Sequence, residues 1–182
     1  MPPSLLGVIL FVASECVFFA ALFGAYFTVR AQASGLDLPW PPEGFELEVP
    51  LPAISTAFLL LSSVTMQLGV WAIRRGDRAG MMRWLKLTLA LGVIFLVGQG
   101  YDYTTLDFSI RDHVYGTAFF TMTGFHGAHV FGGLVFIYLV LARGWAGQLT
   151  RENHTALEAS AIYWHFVDIV WVGLFTTLYL LK

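Results

Sequence analysis

Charge is what this 182-residue chain has least of: Asp, Glu, Lys and Arg together make only 12% of it, against 57% hydrophobic residues. Soluble domains carry about a quarter charged residues, so water cannot be the main solvent for this surface. Cysteine is nearly absent too. The single Cys16 lies inside an apolar run, which excludes an internal disulfide and leaves the redox compartment open. No basic residue precedes the first apolar stretch, which continues to about Val29; that is too long for a signal-peptide core and is read as a retained helix. No internal repeat or low-complexity tract occurs. The net charge of −2 argues neither for nor against a nucleic-acid partner, and none is expected.

What is present is a series of long windows free of charge, each near the roughly 20 apolar residues that cross about 30 Å of hydrocarbon at about 1.5 Å per residue. Five spans are expected, over about 5–29, 53–73, 84–101, 114–142 and 159–181, in one transmembrane domain covering 1–182. The segments are continuously apolar, whereas barrel strands are about 10 residues long with alternating polarity, so the expected fold is an all-α polytopic helix bundle. Arg74, Arg75, Arg78, Arg83 and Lys86 flank the second connection, and Arg143 and Arg151 lie in the fourth. Asp37, Glu43, Glu46 and Glu48 occupy the first connection, and Asp102, Asp107 and Asp112 the third. Positive residues mark cytoplasmic loops, which puts the N-terminus inside and Lys182 outside. The first connection, with Pro39-Trp40-Pro41-Pro42 and then Pro50 and Pro52, is expected to be an ordered non-helical linker with Trp40 near the headgroups.

Ionisable residues inside spans are informative, because a charged side chain at a helix centre costs about 2.5–3.5 kcal/mol even on the lenient insertion scale. They are Glu15, His126, His129, Glu158, His165 and Asp168. His126 and His129 are three apart and share a helix face; Glu158, His165 and Asp168 form a stripe on another helix. At 1.5 Å of rise per residue, Glu15, His129, His165 and Asp168 lie roughly 10–20 Å from the inner boundary, as one polar layer. One reading makes the layer interhelical hydrogen bonding, worth about 0.6 kcal/mol per bond. A sharper one makes it a metal site, against which stands the lack of an E-x-x-H pair or a repeated ligand motif. Two histidines on one helix face cannot supply both axial ligands of a haem. Glu15, alone in its span, either handles protons or bonds to a neighbouring helix or subunit. Small residues recur as Gly116, Gly124, Ala128 and Gly132 on the fourth span and Ala13, Cys16, Ala20 and Gly24 on the first, faces that allow close helix approach.

Six motifs in order resemble one family, cytochrome c oxidase subunit III: Ser14-Glu15-Cys16-Val17-Phe18-Phe19, Trp40-Pro41-Pro42, Gly76-Asp77-Arg78, Val114-Tyr115-Gly116, Gly124-Phe125-His126-Gly127-Ala128-His129-Val130 and Tyr163-Trp164-His165-Phe166-Val167-Asp168. The chain resembles the last five of the seven spans in the family's longer members, and Val97-Gly98-Gln99-Gly100-Tyr101 is similar to the actinobacterial short form. The resemblance implies an accessory subunit of a proton-pumping oxidase in a bacterial cell membrane, with no catalytic residue, metal or redox centre of its own. Haem and copper belong to its partners, with subunit I in direct contact, subunit II in the same complex and the whole able to join a larger respiratory supercomplex. It implies that this subunit stabilises subunit I and supports proton uptake and lipid and dioxygen access. Glu15 matches the family's membrane carboxylate and Glu158 a family glutamate, while Arg143 and His154 resemble basic residues around a phospholipid site; as loop charges, the latter two equally fit the positive-inside rule. Two alternatives stand beside this: subunit III of a quinol oxidase, and a stand-alone proton-coupled transporter using Glu15 and Asp168.

Overall fold

A computed structural model describes residues 2–45 and 47–181. The acidic Glu46 and the terminal Lys182 of the charge pattern lie outside the described residues. Helix α1 spans Pro3–Gly35, α2 Pro50–Arg74, α3 Arg78–Thr105, α4 Val114–Trp145 and α5 Thr155–Phe175, the last running on as a π-helical turn over Thr176–Leu180. All five are long and apolar enough to cross a membrane.

Local chemistry sets the ends. Prolines open α1 and α2 in the first turn, where the missing N–H has no helical partner to lose. Gly76, at φ +82, turns the chain between α2 and α3, and Asp77 then caps α3 by accepting from the Gly80 amide at 2.7 Å. His113 caps α4, its Nδ1 accepting from the Tyr115 amide at 3.0 Å. Between α1 and α2 the chain is non-helical, and Trp40 is pinned there by its indole N–H donating to the Tyr26 hydroxyl at 3.0 Å and by edge-on packing against Tyr115.

Helix α5 is the hub: it packs against α1, α2 and α4, while α3 packs against α2 and α4. Helices α1 and α5 run parallel, since Phe23 meets Gly173, the Tyr26 hydroxyl reaches the Thr177 carbonyl and Arg30 donates to the Leu181 carbonyl at 2.9 Å. Lipid is as apolar as the helices, so hydrophobic burial cannot drive their association; close packing and interhelical hydrogen bonds must. Both occur. Trp164 donates to Ser62 at 2.9 Å and Trp171 to Thr56 at 2.8 Å, tying α5 to α2. Thr65 and Thr88 tie α2 to α3 at 2.7 Å, and Gln99 donates to the Thr123 carbonyl at 3.1 Å, tying α3 to α4.

Of the expected glycine stripe only Gly116 is closely packed, a methyl group there lying 2.6 Å from the Ser109 carbonyl oxygen. A methyl group at Gly92 or Gly133 would lie 2.7–2.8 Å from the Trp164 ring, so these two glycines form the slot for that indole. Gly124 and Gly132 face looser space, and Ala13, Cys16, Ala20 and Gly24 on α1 are exposed. Helix α1 is the outlying element, with 6% of its apolar window buried against 61% for α5.

Candidate functional site

Glu15 and His129 meet where α1 lies against α4, both half-buried. The Glu15 Oε2 lies 2.8 Å from His129 Nε2, joining α1 to α4. On the other edge of the ring, Nδ1 lies 2.6 Å from the Phe125 carbonyl, one turn back along α4. A carbonyl oxygen only accepts, so Nδ1 must carry a hydrogen. Nε2 therefore either accepts from a protonated Glu15 or, as imidazolium, donates to the carboxylate. In both states one proton sits between the two residues and the pair is neutral overall, which is what hydrocarbon tolerates. Phe18 and Phe19 shield the ring, Phe19 edge-on with its centroid 5.0 Å away, and the Tyr163 hydroxyl of α5 donates to the His129 carbonyl at 3.1 Å.

A second polar group closes the end of the bundle where the α2–α3 and α4–α5 connections lie. Arg74 donates through Nε and Nη2 to Glu158 Oε1, and His154 Nε2 approaches the same oxygen at 3.3 Å. Arg143 stands apart from these residues. Its guanidinium donates to Gln148 Oε1 at 3.2 Å, and it lines a cleft of ≈340 Å³ with Ser4 and Val8 of α1, Phe136 of α4 and Thr155 of α5. His154 does not line that cleft.

The remaining three residues have separate surroundings. His126 is fully buried, stacked on Trp171 with ring centroids 4.9 Å apart and edge-on to Phe95, and neither of its nitrogens has a hydrogen-bond partner among the described residues. His165 Nδ1 lies 2.7 Å from the Ser63 hydroxyl and Nε2 3.3 Å from Gln67 Oε1, both on α2. Asp168 turns into the core at 3% exposure. It leaves the expected stripe because its offset of three residues from His165 rotates it about 60° around the helix. Among the described residues no three His, Cys, Asp or Glu side chains converge as metal ligands.

A family description of cytochrome c oxidase subunit III matches residues 4–182. The chain is 45% identical over 179 residues to the cytochrome c oxidase subunit 3 of Corynebacterium diphtheriae, covering 97% of this chain and 87% of that one. It is 43% identical over 177 residues to the protein of the same name from Thermostichus vulcanus, covering 97% and 86%. The chain belongs to the cytochrome c oxidase subunit III family.

It is therefore a multi-pass membrane subunit of a haem-copper oxidase, an oxidoreductase complex. Some of this subunit III's side-chain geometry had a signal in the sequence and some had none. The depth of Glu15 and His129, worked out from 1.5 Å of rise per residue, already placed them at one level, and the structure joins them. Ser63 and Gln67, the partners of His165, carried no such signal. Serine and glutamine pass unnoticed in an apolar span, being neutral and common, although their side chains hydrogen-bond between helices.

Proposed function

We propose that this chain is the accessory, redox-inactive subunit III of a proton-pumping cytochrome c oxidase, one transmembrane unit that steadies the catalytic subunit I and supports proton uptake on the inner side of a bacterial cell membrane. The observation carrying this reading is the Glu15–His129 pair, which retains a single proton between two helices, behind aromatic rings, at a depth where an unpaired charge would be expelled. Within such a pair the proton can pass between carboxylate and imidazole while the two together stay neutral, so a proton given up on one side is replaced from the other.

Topology fits this role. The connections carrying Arg74, Arg75, Arg78, Arg143 and Arg151 lie at one end of the bundle and those carrying Asp37, Glu43, Glu48, Asp107 and Asp112 at the other; the positive-inside rule makes the first end cytoplasmic and the N-terminus inner. The Arg143 cleft then opens at the inner leaflet with an apolar floor and a cation at its rim, which suits a phospholipid: acyl chain along Val8 and Phe136, phosphate on the guanidinium. His154 instead meets Glu158 within the first turn of α5, beside the Arg74–Glu158 link that joins α5 to α2. Haem and copper, in this reading, reside in subunits I and II.

The test is Glu15→Gln in the assembled oxidase. The amide still donates to His129 Nε2, so the α1–α4 link and the yield of complex are retained, but the exchangeable proton is gone. The variant is expected to start with near-parental activity and to lose it faster over successive turnovers, with slowed proton uptake. Activity decay superimposable on the parent's would reduce Glu15 to packing.

A further inference from the structure

The hydroxyls of α2 are of two kinds. Thr56, Ser62 and Thr65 each donate to a carbonyl one turn back along their own helix, at 2.6–3.0 Å, the local bond that a helical serine or threonine falls back on. Ser55, beside Thr56 and 7% exposed, makes no side-chain hydrogen bond among the described residues. Its hydroxyl instead lies against Gly98 of α3, where a methyl group would come 2.6 Å from Oγ. Next to it is a small hole with ≈10 Å³ of room for the centre of a water-sized sphere, which Ser55 and Gly98 share with Asp102 of α3, Tyr179 of the π-helical turn and the rings of Phe95 and Trp171. That is space for one water molecule and for nothing larger.

The other polar groups around the hole are also short of partners. Asp102 is 6% exposed; its Oδ2 accepts from the Tyr179 hydroxyl at 3.0 Å, and its Oδ1 accepts from none of the described residues. A carboxylate has about four acceptor positions, and one donor leaves a buried one undersatisfied. Tyr179, having given its hydrogen to Asp102, keeps a lone pair. Around the hole there are thus one free donor, the Ser55 O–H, and two acceptors, Asp102 and the Tyr179 oxygen. A water, with two hydrogens to give and a lone pair to receive, is the complement of that set and makes about the three bonds usual for a buried one. On its other side Asp102 borders an open recess of ≈420 Å³ with Glu48 and Asp107, which gives a way in from the aqueous phase.

We infer that one water molecule is bound at this junction as a fixed part of the fold, accepting from Ser55 and donating to Asp102 and the Tyr179 oxygen. It ties α2, α3 and the end of α5 together near the outer surface and supplies the second donor that the buried Asp102 needs. The site is separate from the Glu15–His129 pair and rests on packing within this chain, not on the proposed function.

The experiment is a density map of the assembled oxidase at a resolution that shows ordered waters. The result expected is a single peak about 2.5–3.0 Å from Ser55 Oγ and from an Asp102 or Tyr179 oxygen. An empty hole in a map that resolves other waters on this chain overturns the inference, as does a peak about 2.4 Å from several oxygens, the spacing of a metal ion. Hydroxyl-radical labelling of the same complex reads the site in solution, because a bound water is itself the source of the radical. Tyr179, 3% exposed, is expected to label several-fold faster than Tyr26, 2% exposed, and equal rates would count against a water there. Ser55→Val, which puts a methyl group in place of the hydroxyl, is expected to abolish both the peak and the difference in labelling. Persistence of both would remove Ser55 from the site and overturn the assignment.

Discussion

His126 shows how far a residue's type is from its role. In sequence it reads as half of a histidine pair, but three residues of helix divide the pair between two jobs: His129 turns to α1 and shares a proton with Glu15, whereas His126 is sandwiched by Trp171 and Phe95 with both nitrogens unpartnered. Removing His126 therefore breaks no hydrogen bond within the described residues, unlike the reading of the polar layer as interhelical hydrogen bonding. What the imidazole supplies is volume and an aromatic face. His126→Ala is expected to lower stability by about 2–4 kcal/mol through the cavity it leaves. His126→Phe keeps the stacked ring and removes an unsatisfied polar group, so it should fall within about 1 kcal/mol of the parent or above it. Thermal unfolding of the purified complex distinguishes these; a Phe variant as damaged as the Ala variant would mean that the imidazole nitrogens have partners in the assembled oxidase.

At the scale of helices, the bundle turns on Trp164. Its indole enters a slot between Gly92 of α3 and Gly133 of α4 and ties back to Ser62 of α2, so one side chain of α5 gathers three neighbours. Filling the slot should be costly: Gly92→Ala forces a methyl group to within 2.7 Å of Trp164 and Leu134 atoms, and overpacking of this kind costs about 1–3 kcal/mol. Gly124→Ala, in looser space, is expected to be silent in the same melting measurement, and equal effects of the two would refute the slot. The contrast also marks what was legible. Five helices could be read from composition because hydrocarbon leaves no alternative to long apolar runs with internally bonded backbones. Their ends could not: α1 continues to Gly35, six residues past the last apolar position expected of it, because Arg30 to Ser34 are acceptable helix formers and hydropathy reports solvent, not hydrogen bonding. Nor could most of the packing glycines be chosen from a periodic stripe, since the side chains that crowd them, Trp164 at Gly92 and Gly133, Met82 at Gly144 and Leu85 at Gly69, come from other helices.

Over the whole molecule, the parallel pairing of α1 with α5 brings Pro2, the Arg74–Glu158–His154 cluster and the Arg143 cleft to one end, and Trp40, His113 and Leu181 to the other. Both faces of the membrane are thus assigned once a single loop is located, because successive crossings put neighbouring connections on opposite sides. The charge asymmetry predicts the basic end inside, and the reasoning is energetic: each arginine translocated outward would move against the membrane potential at about 2.3 kcal/mol per 100 mV. With Cys16→Ser removing the native thiol, Asp112→Cys is expected to react with an impermeant maleimide on intact cells, and Arg151→Cys only after permeabilisation; both positions are exposed. The reverse pattern would invert the bundle, placing the Arg143 cleft in the outer leaflet and turning the connections that hold Arg74 and Glu158 away from the side on which an oxidase gathers its protons. Labelling of both sites in intact cells would break the five-crossing topology itself.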